Sequence, residues 1–452
     1  MDPMPSTLLW FRRDLRLHDL PPLLEAAAGG ADVLACFVLD PRLEKSSGAR
    51  RLQFLGDSLR ELHGALDGRL LITRGRPDER IPAICRAIDA TAVHISADFS
   101  PFGVRRDAAV GAALAEMGVA LEATGSPYLV SPGRVTKDDG TPYKVFTPFF
   151  ARWREVGWRA PAPSGPTGVN WIDPAGLPAD LGRTDAPDPD VALDLEAGEA
   201  AAGRQWAQFV SNGLEHYADD RNRPDRPGTS RMSAHLKFGT IHPRTLVKDL
   251  DIRATGPGAY VRELAFRDFY ADVLHQWPRS AWWNWNQKFD DIEVDSDAAA
   301  RKAFEAWKQG RTGYPIVDAG MRQLADSGFM HNRVRMIVAS FLVKDLHLPW
   351  QWGARWFLDQ LVDGDMASNQ HGWQWCAGSG TDAAPYFRVF NPTAQGEKFD
   401  PAGEYVRRWV PELAECADVH KFKAGRPGDY PEPVVDHAAE RAEALHRYGR
   451  IG

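Results

Sequence analysis

From Thr7 to Thr124 the chain alternates short apolar runs with amphipathic stretches. "TLLWF", "VLACFVL", "LLITRG", "AVHISAD" and "GVALEAT" read as strands. "LPPLLEAAAG", "RRLQFLGDSLRELHGAL", "ERIPAICRAI" and "VRRDAAVGAALAEM" lie between them with helical spacing. Strands without polar alternation are buried on both faces, and strands that alternate with helices pair in parallel. The pattern predicts a Rossmann-like α/β domain over residues 1–130. Neither GxGxxG nor GxxxxGK[ST] follows the first strand, so the usual dinucleotide and P-loop fingerprints are absent there.

The pattern then changes. Residues 131–198 are rich in Pro, Gly and Asp, with "RAPAPSGPTG" a plain loop signal, and are expected to form a linker. Beyond Glu199 the periodicity is helical, as in "EAAAGRQWAQFVSNGLEHYADD", "YVRELAFRDFYADVL" and "RVRMIVASFLVKDL". An all-α domain is expected over 199–452, without internal repeats. The 16 Trp lie almost entirely after residue 150, so the two parts have different tasks.

Composition is that of an ordinary globular protein, with 44% hydrophobic and 25% charged residues. No apolar run approaches the roughly 18 residues of a membrane span. The start, "MDPMPSTLLWFRRDLRLHD", lacks the pattern of an export signal. Cys36, Cys85, Cys376 and Cys416 are far apart and form no CxxC, so no metal spacing is seen. A reducing cytoplasm is expected, and no membrane partner. The net charge of -7 does not decide for or against nucleic acid, which is bound by a local basic face.

Four stretches could carry chemistry. "DGDMASNQHGWQWCAGSGTDAAPYFRVFNP" gathers Asp363, Asp365, Asn369, Trp373, Trp375 and Arg388. "RPGTSRMSAHLKFG" sets Gly-Thr-Ser before an apolar-periodic segment, where Ser or Thr can cap a helix whose free N–H groups attract an anion, with Arg231 adding charge. "FMHNRVRMIVASF" holds Asn332, Arg333 and Arg335 within one turn, and a buried Arg would need Asp363 or Asp365. "YVRELAFRDFY" places Glu263 and Arg267 at i, i+4 beside Phe266 and Phe269. Taken singly these are a helix cap, a structural ion pair and a surface pair. The clustered Trp suit core packing, although alternate positions aim Trp373 and Trp375 in different directions. Together they describe a pocket for a nucleotide-bearing redox cofactor beside a stacked planar ligand.

"LLWFRRDLRLHD", "GTSRMS", "GRTGYPIVDAGMRQL", "MHNRVRM", "DGDMASNQHGWQW" and "GTDAAPYFRVFNPTAQGEKFD" closely resemble the DNA photolyase and cryptochrome family, within it the class I cyclobutane pyrimidine dimer photolyases. The resemblance spans almost the whole chain. It implies an α/β antenna domain, a linker, and a helical FAD-binding catalytic domain acting, as a monomer, on UV-damaged DNA. Photoexcited reduced FAD would split the dimer by electron transfer. Tyr217, Thr229, Ser230, Arg231, Met232 and Ser233 would hold the FAD phosphates and ribityl chain, with Asp363 and Asp365 beside the flavin and Arg335 the partner of Asp363. Asn369 matches the Asn facing flavin N5 in the photolyase branch. Glu263 and Asn332 match residues that hydrogen-bond the dimer, and Met336 and Trp375 its apolar walls. Arg221, Arg333 and Arg388 would meet phosphates or the pocket rim. The single His331 does not reproduce the His-rich stretch of the (6-4) enzymes.

The chain also departs from the family pattern. Phe266 stands where a Trp usually meets the dimer. Of three electron-transfer Trp, Trp373 and Trp350 match the inner two, while "DIEVDSDAAARK" lacks the outer one. Trp307, Trp352 or Trp356 would complete the chain, or photoreduction would be poor. Folate-type enzymes carry Asn-Glu at Phe102-Gly103. "DFSPFGVRRD" aligns instead with the deazaflavin type through Asp98 and Phe102, and Arg51 matches an Arg near that chromophore. An 8-hydroxy-deazaflavin antenna is therefore favoured over folate, with an empty site or a flavin as alternatives. A blue-light sensor without repair is the competing function, and a dark flavoprotein of electron transfer a more distant one.

Overall fold

Leu8, Leu9, Trp10 and Phe11 are almost wholly buried because their strand, Ser6–Phe11 (β1), lies at the centre of a parallel sheet. The other strands are Asp32–Leu39 (β2), Leu70–Arg74 (β3), Ala90–Ile95 (β4), Ala120–Ala123 (β5) and the two-residue Asn170–Trp171 (β6). The order is β3-β2-β1-β4-β5, with β6 paired to the start of β2. Every pairing is parallel, as the unalternated apolar runs imply. Helices Pro21–Ala26, Ala49–Ala65, Pro77–Ile88 and Pro101–Ala115 fill the connections. The computed structural model describes residues 5–385, 387–422 and 425–451. β6 falls in a stretch that reads as linker, because two residues carry no period.

The chain forms two compact units. The first comprises Met1–Tyr143, Thr147–Ser211 and Arg231–Gln276. The second comprises Lys144–Phe146, Asn212–Ser230 and Trp277–Gly452. The connections of the sheet reverse direction between β1 and β4, which opens a crevice at the carboxyl ends of those strands. Buried charge fills its floor. Asp98 meets Arg106 at 3.3 Å, Arg12 meets Asp107 at 2.9 Å, and both Arg lie over the ring of Trp10. Burial pushes the Asp98 carboxyl up, yet Arg106 and Arg13 bring it down to about 2. Gly103 lies against that carboxylate, and a Cβ there would overlap it.

Within the first unit, helix Thr255–Gln276 is held by acids on its buried side. Asp268 accepts from Val130 N at 2.9 Å and Trp153 Nε1 at 3.0 Å, and Asp272 accepts from Gly133 N at 2.6 Å. These bonds fasten the segment after β5 to the helix. In the second unit, Trp307, Val334, Val338, Phe341, Phe357 and Trp373 share one core between helices.

Burial pushes Asp268 up to about 7, against the usual carboxylate value near 4. A raised folded-state value means that the folded chain holds the proton longer, so stability falls as pH climbs from about 4 towards 7. Asp268→Asn keeps an acceptor and removes the ionisation. It should gain on wild type over that pH window, by up to about 4 kcal/mol above pH 7. Urea melts of both proteins at pH 5 and pH 8 measure this.

Candidate functional site

Helix Met366–Ala377 carries Asn369, Trp373 and Trp375, and Asp365 starts it by accepting from Ser368 N at 3.1 Å. At 3.6 residues per turn, Asn369 and Trp373 share one face, while Trp375 points about 200° away from Trp373. Trp373 is buried and Trp375 is half-buried. Trp373 fits because Gly353 leaves it room: a Cβ on Gly353 would overlap the indole. The Trp373 ring meets Phe357 edge-on at 5.0 Å and Trp307 at 6.1 Å. Trp350 is buried, and its indole donates to Asn284 Oδ1 at 2.9 Å.

Asn369 has a defined polarity. Its Nδ2 donates to Ala354 O at 3.0 Å and to Gln370 Oε1 at 2.7 Å. Both amide protons are engaged, which leaves Oδ1 as an acceptor. Asp363 is buried, with Oδ2 on Arg335 Nη2 at 2.8 Å. Its Oδ1 has no partner among the described residues. Arg335 is itself fixed by Nε donating to Met330 O at 2.7 Å. His331 caps helix Asn332–Lys344 by accepting from Arg333 N at its Nδ1. Burial, then Arg335 and Arg333, lower His331 to about 4, so at neutral pH it is the neutral Nε2–H form. That Nε2 is also buried without a partner among the described residues. A buried acceptor and a buried donor beside one arginine are available to hydrogen-bond a ligand.

The rest of the motif residues divide by role. Arg333 turns to Asn222 Oδ1 at 2.7 Å and lies over Phe399, so Arg335 alone of the two takes Asp363 while Asp365 caps. Asn332 is exposed at the helix start, with Met336 one turn on and half-buried. Tyr217 is buried beneath the Arg221 guanidinium at 5.8 Å, and Thr229 and Ser230 follow. Arg388 is exposed on the segment before Asn391, and its carbonyl accepts from the buried Lys344 at 3.0 Å. Nothing in the local sequence signals that lysine, because its neighbours read as an apolar helix.

Other motif residues lie in the first unit. The expected Ser/Thr cap is corrected here: Met232 is the cap residue of the six-residue helix Ser233–Phe238 and makes no side-chain cap bond. The reason is Arg231, whose left-handed φ of 54° turns the chain just before the helix and leaves Thr229 and Ser230 outside it. Arg231 grips Asp194 through two bonds of 2.9 and 3.0 Å. Met232 is buried and Ser233 exposed. Glu263 and Phe266 are half-buried on helix Thr255–Gln276. The i, i+4 pairing of Glu263 with Arg267 does not form, because Arg267 donates to the carbonyls of Pro127 at 2.7 Å and Leu236 at 3.0 Å. Arg51 is buried and donates to Ser46 O, and Phe102 lies under Arg42 at 5.0 Å.

Comparison with known proteins follows the same lines. The family model described as DNA photolyase matches residues 7–167, and that described as the FAD binding domain of DNA photolyase matches 260–450. A deoxyribodipyrimidine photo-lyase of Halobacterium salinarum is 38% identical, with 98% of each chain covered. A bacterial class III photolyase from Agrobacterium tumefaciens superposes with a TM-score of 0.89 at 35% identity, covering 100% of this chain and 98% of that one. A cryptochrome from Synechocystis gives 0.88 at 28% identity, covering 99% and 100%.

Removing one partner of a buried ion pair strands the other charge. Arg335→Met should therefore lower stability by about 3 kcal/mol, and adding Asp363→Asn should recover most of it. Urea denaturation of the two single variants and the double variant measures the coupling.

Proposed function

The chain belongs to the DNA photolyase family, and on that premise we propose how its residues share the work. It is a light-dependent repair enzyme for cyclobutane pyrimidine dimers. Bound, reduced FAD supplies the electron that splits the dimer and receives it back. The observation that carries the site assignment is the polarity at Asn369: an amide oxygen with both amide protons engaged accepts from the N–H that a reduced flavin has at N5. The open Oδ1 of Asp363 adds a second acceptor, and Arg335 offsets the negative charge.

Tyr217, Thr229, Ser230, Arg231, Met232 and Ser233 are assigned to the phosphates and ribityl chain, with Asp365 holding the start of the Asn369 helix. Glu263 and Asn332 hydrogen-bond the dimer bases. Met336, Phe266 and Trp375 supply apolar contact, with Phe266 offering less area than a Trp. A dimer stacks poorly and leaves the duplex at lower cost than intact bases. Arg221, Arg333 and Arg388 meet DNA phosphates, which makes affinity fall with salt. The functional division is antenna over 1–130, linker over 131–198 and catalytic domain over 199–452. The enzyme is assigned to the class I branch, as a monomer in a reducing cytoplasm. No described helix is long and apolar enough to cross a membrane.

For the antenna we propose 8-hydroxy-deazaflavin at the crevice between β1 and β4, beside Asp98, Phe102 and Arg51. The buried carboxylate of Asp98 against Gly103 leaves no space for the Glu of the folate-type pair. Reconstitution with the deazaflavin should add its absorbance band and quench its emission by transfer to FAD, whereas Gly103→Glu should bind none.

The likeness to a cryptochrome, together with Phe266, favours a sensor as the second reading. Reduced protein mixed with an oligonucleotide bearing one thymine dimer should restore intact thymines under blue light and none in the dark. No repair with flavin bound and reduced would overturn the repair reading and move the assignment to the sensor. Glu263→Ala should slow repair roughly 10- to 100-fold, the range for losing a hydrogen bond to a charged group, while keeping FAD. Flavin loss in that variant would move Glu263 to the cofactor.

A further inference from the structure

Lys344 ends helix Asn332–Lys344 and is almost wholly buried. A buried ammonium costs more than an apolar side chain of the same size, so its presence asks for a reason. The end of a helix favours a cation, but a surface lysine would serve that purpose as well. The groups around Lys344 do not neutralise it. Asp345, the next residue, turns its carboxylate to His437. The Cys376 thiol is pushed up by burial to about 12 and stays uncharged. Tyr448, from helix His437–Gly449, offers only its ring, 5.5 Å from the ammonium, because its hydroxyl donates to Ala377 O at 2.7 Å. The ammonium itself donates to the carbonyl of Arg388 at 3.0 Å. Burial lowers Lys344 to about 8, so at pH 7 it is still mostly protonated and this bond is charge-assisted.

Arg388 lies on the segment between helix Met366–Ala377 and helix Pro392–Phe399. The two ends of that segment are fastened. Ala384 N donates to Trp375 O at 3.2 Å, and Asn391 caps the second helix by accepting from Ala394 N at 2.9 Å. Between these points the chain comes to the surface, where Phe387 and Arg388 are exposed. The bond from Lys344 ties the middle of the segment to the helix beneath it. The carbonyl of Arg388 thus faces a buried lysine while the residue as a whole stands in solvent.

We propose that Lys344 is a positioning residue for DNA binding, which fixes the backbone from which Arg388 reaches a phosphate. The proposal rests on the assignment of Arg388 to DNA given above. A phosphate contact made from an unfastened segment would have to order that segment on binding, and the ordering would subtract from affinity. Lys344 does the ordering when the chain folds. The cost of its buried charge falls on stability, and the gain falls on the DNA contact.

The test uses the full chain with FAD bound, in the dark, and a duplex oligonucleotide bearing one thymine dimer, titrated at several salt concentrations. Arg388→Gln should lower the slope of log affinity against log salt by about 0.9, the value for one phosphate, and weaken binding about tenfold. Lys344→Met keeps the length of the side chain and removes the ammonium. It should lower the slope in the same direction and weaken binding about fivefold, and the double variant should lie within about twofold of Arg388→Gln. Amide exchange of residues 387–391 should quicken at least about tenfold in Lys344→Met and keep its wild-type rate in Arg388→Gln. A merely structural role would weaken binding in Lys344→Met with the slope unchanged and with losses that add in the double variant. Either result, or loss of flavin from Lys344→Met, would overturn the proposal. Exchange of wild-type residues 387–391 as fast as in an unstructured peptide would overturn it even if Lys344→Met does not fold, and slow exchange would uphold the tether. An unchanged slope in Arg388→Gln would remove that arginine from the DNA contacts, and the role of Lys344 with it. Wild type that binds damaged and intact duplex alike would bring down the repair reading itself.

Discussion

The pair between Arg335 and Asp363 ties two helical segments of the second unit together. It joins helix Asn332–Lys344 to the turn before helix Met366–Ala377. Two residues later Asp365 caps that second helix, so the pair also sets where Asn369 and Trp373 stand. A charge pair this buried gives little net stability, because desolvation offsets most of the attraction. Its value is placement. One carboxylate oxygen is neutralised and the other is kept open for a ligand. Neutral His331, pressed by the same arginine, keeps an N–H open nearby in sequence.

Close packing does comparable work without charge. Gly353 lets the indole of Trp373 lie against helix Trp350–Gln360, and Gly103 lets Asp98 lie against helix Pro101–Ala115. In each case a methyl group would displace a side chain proposed to serve a chromophore. The repair chemistry asks little of protein acids and bases. Light and flavin supply the driving force, and the chain contributes position, polarity and exclusion of water. That division accounts for a site built from amides, aromatics and one shielded ion pair.

Much of this was legible from residues alone. The strands and helices before Thr124 appear where their periods place them, because burial on both faces of a parallel sheet leaves a plain apolar signature. The need of a buried guanidinium for a partner left Asp363 or Asp365 open, and the family resemblance pointed to Asp363, which the structure pairs with Arg335. Local patterns failed where a side chain had several partners within reach. Arg267 prefers two backbone carbonyls to Glu263, and a left-handed Arg231 moves the helix start past Thr229 and Ser230.

The sequence by itself determined the family and the order of sheet and helices, since long ordered motifs and hydrophobic periods are local properties of the chain. Tertiary structure alone decided which groups touch. The free oxygen of Asn369 follows from two bonds, one of them to a carbonyl 15 residues away. The contact of Trp373 with Trp307 joins helices far apart in sequence. Spacing along a chain specifies neighbours on one helix, whereas the partner across a packed core depends on how helices cross, which no local pattern records.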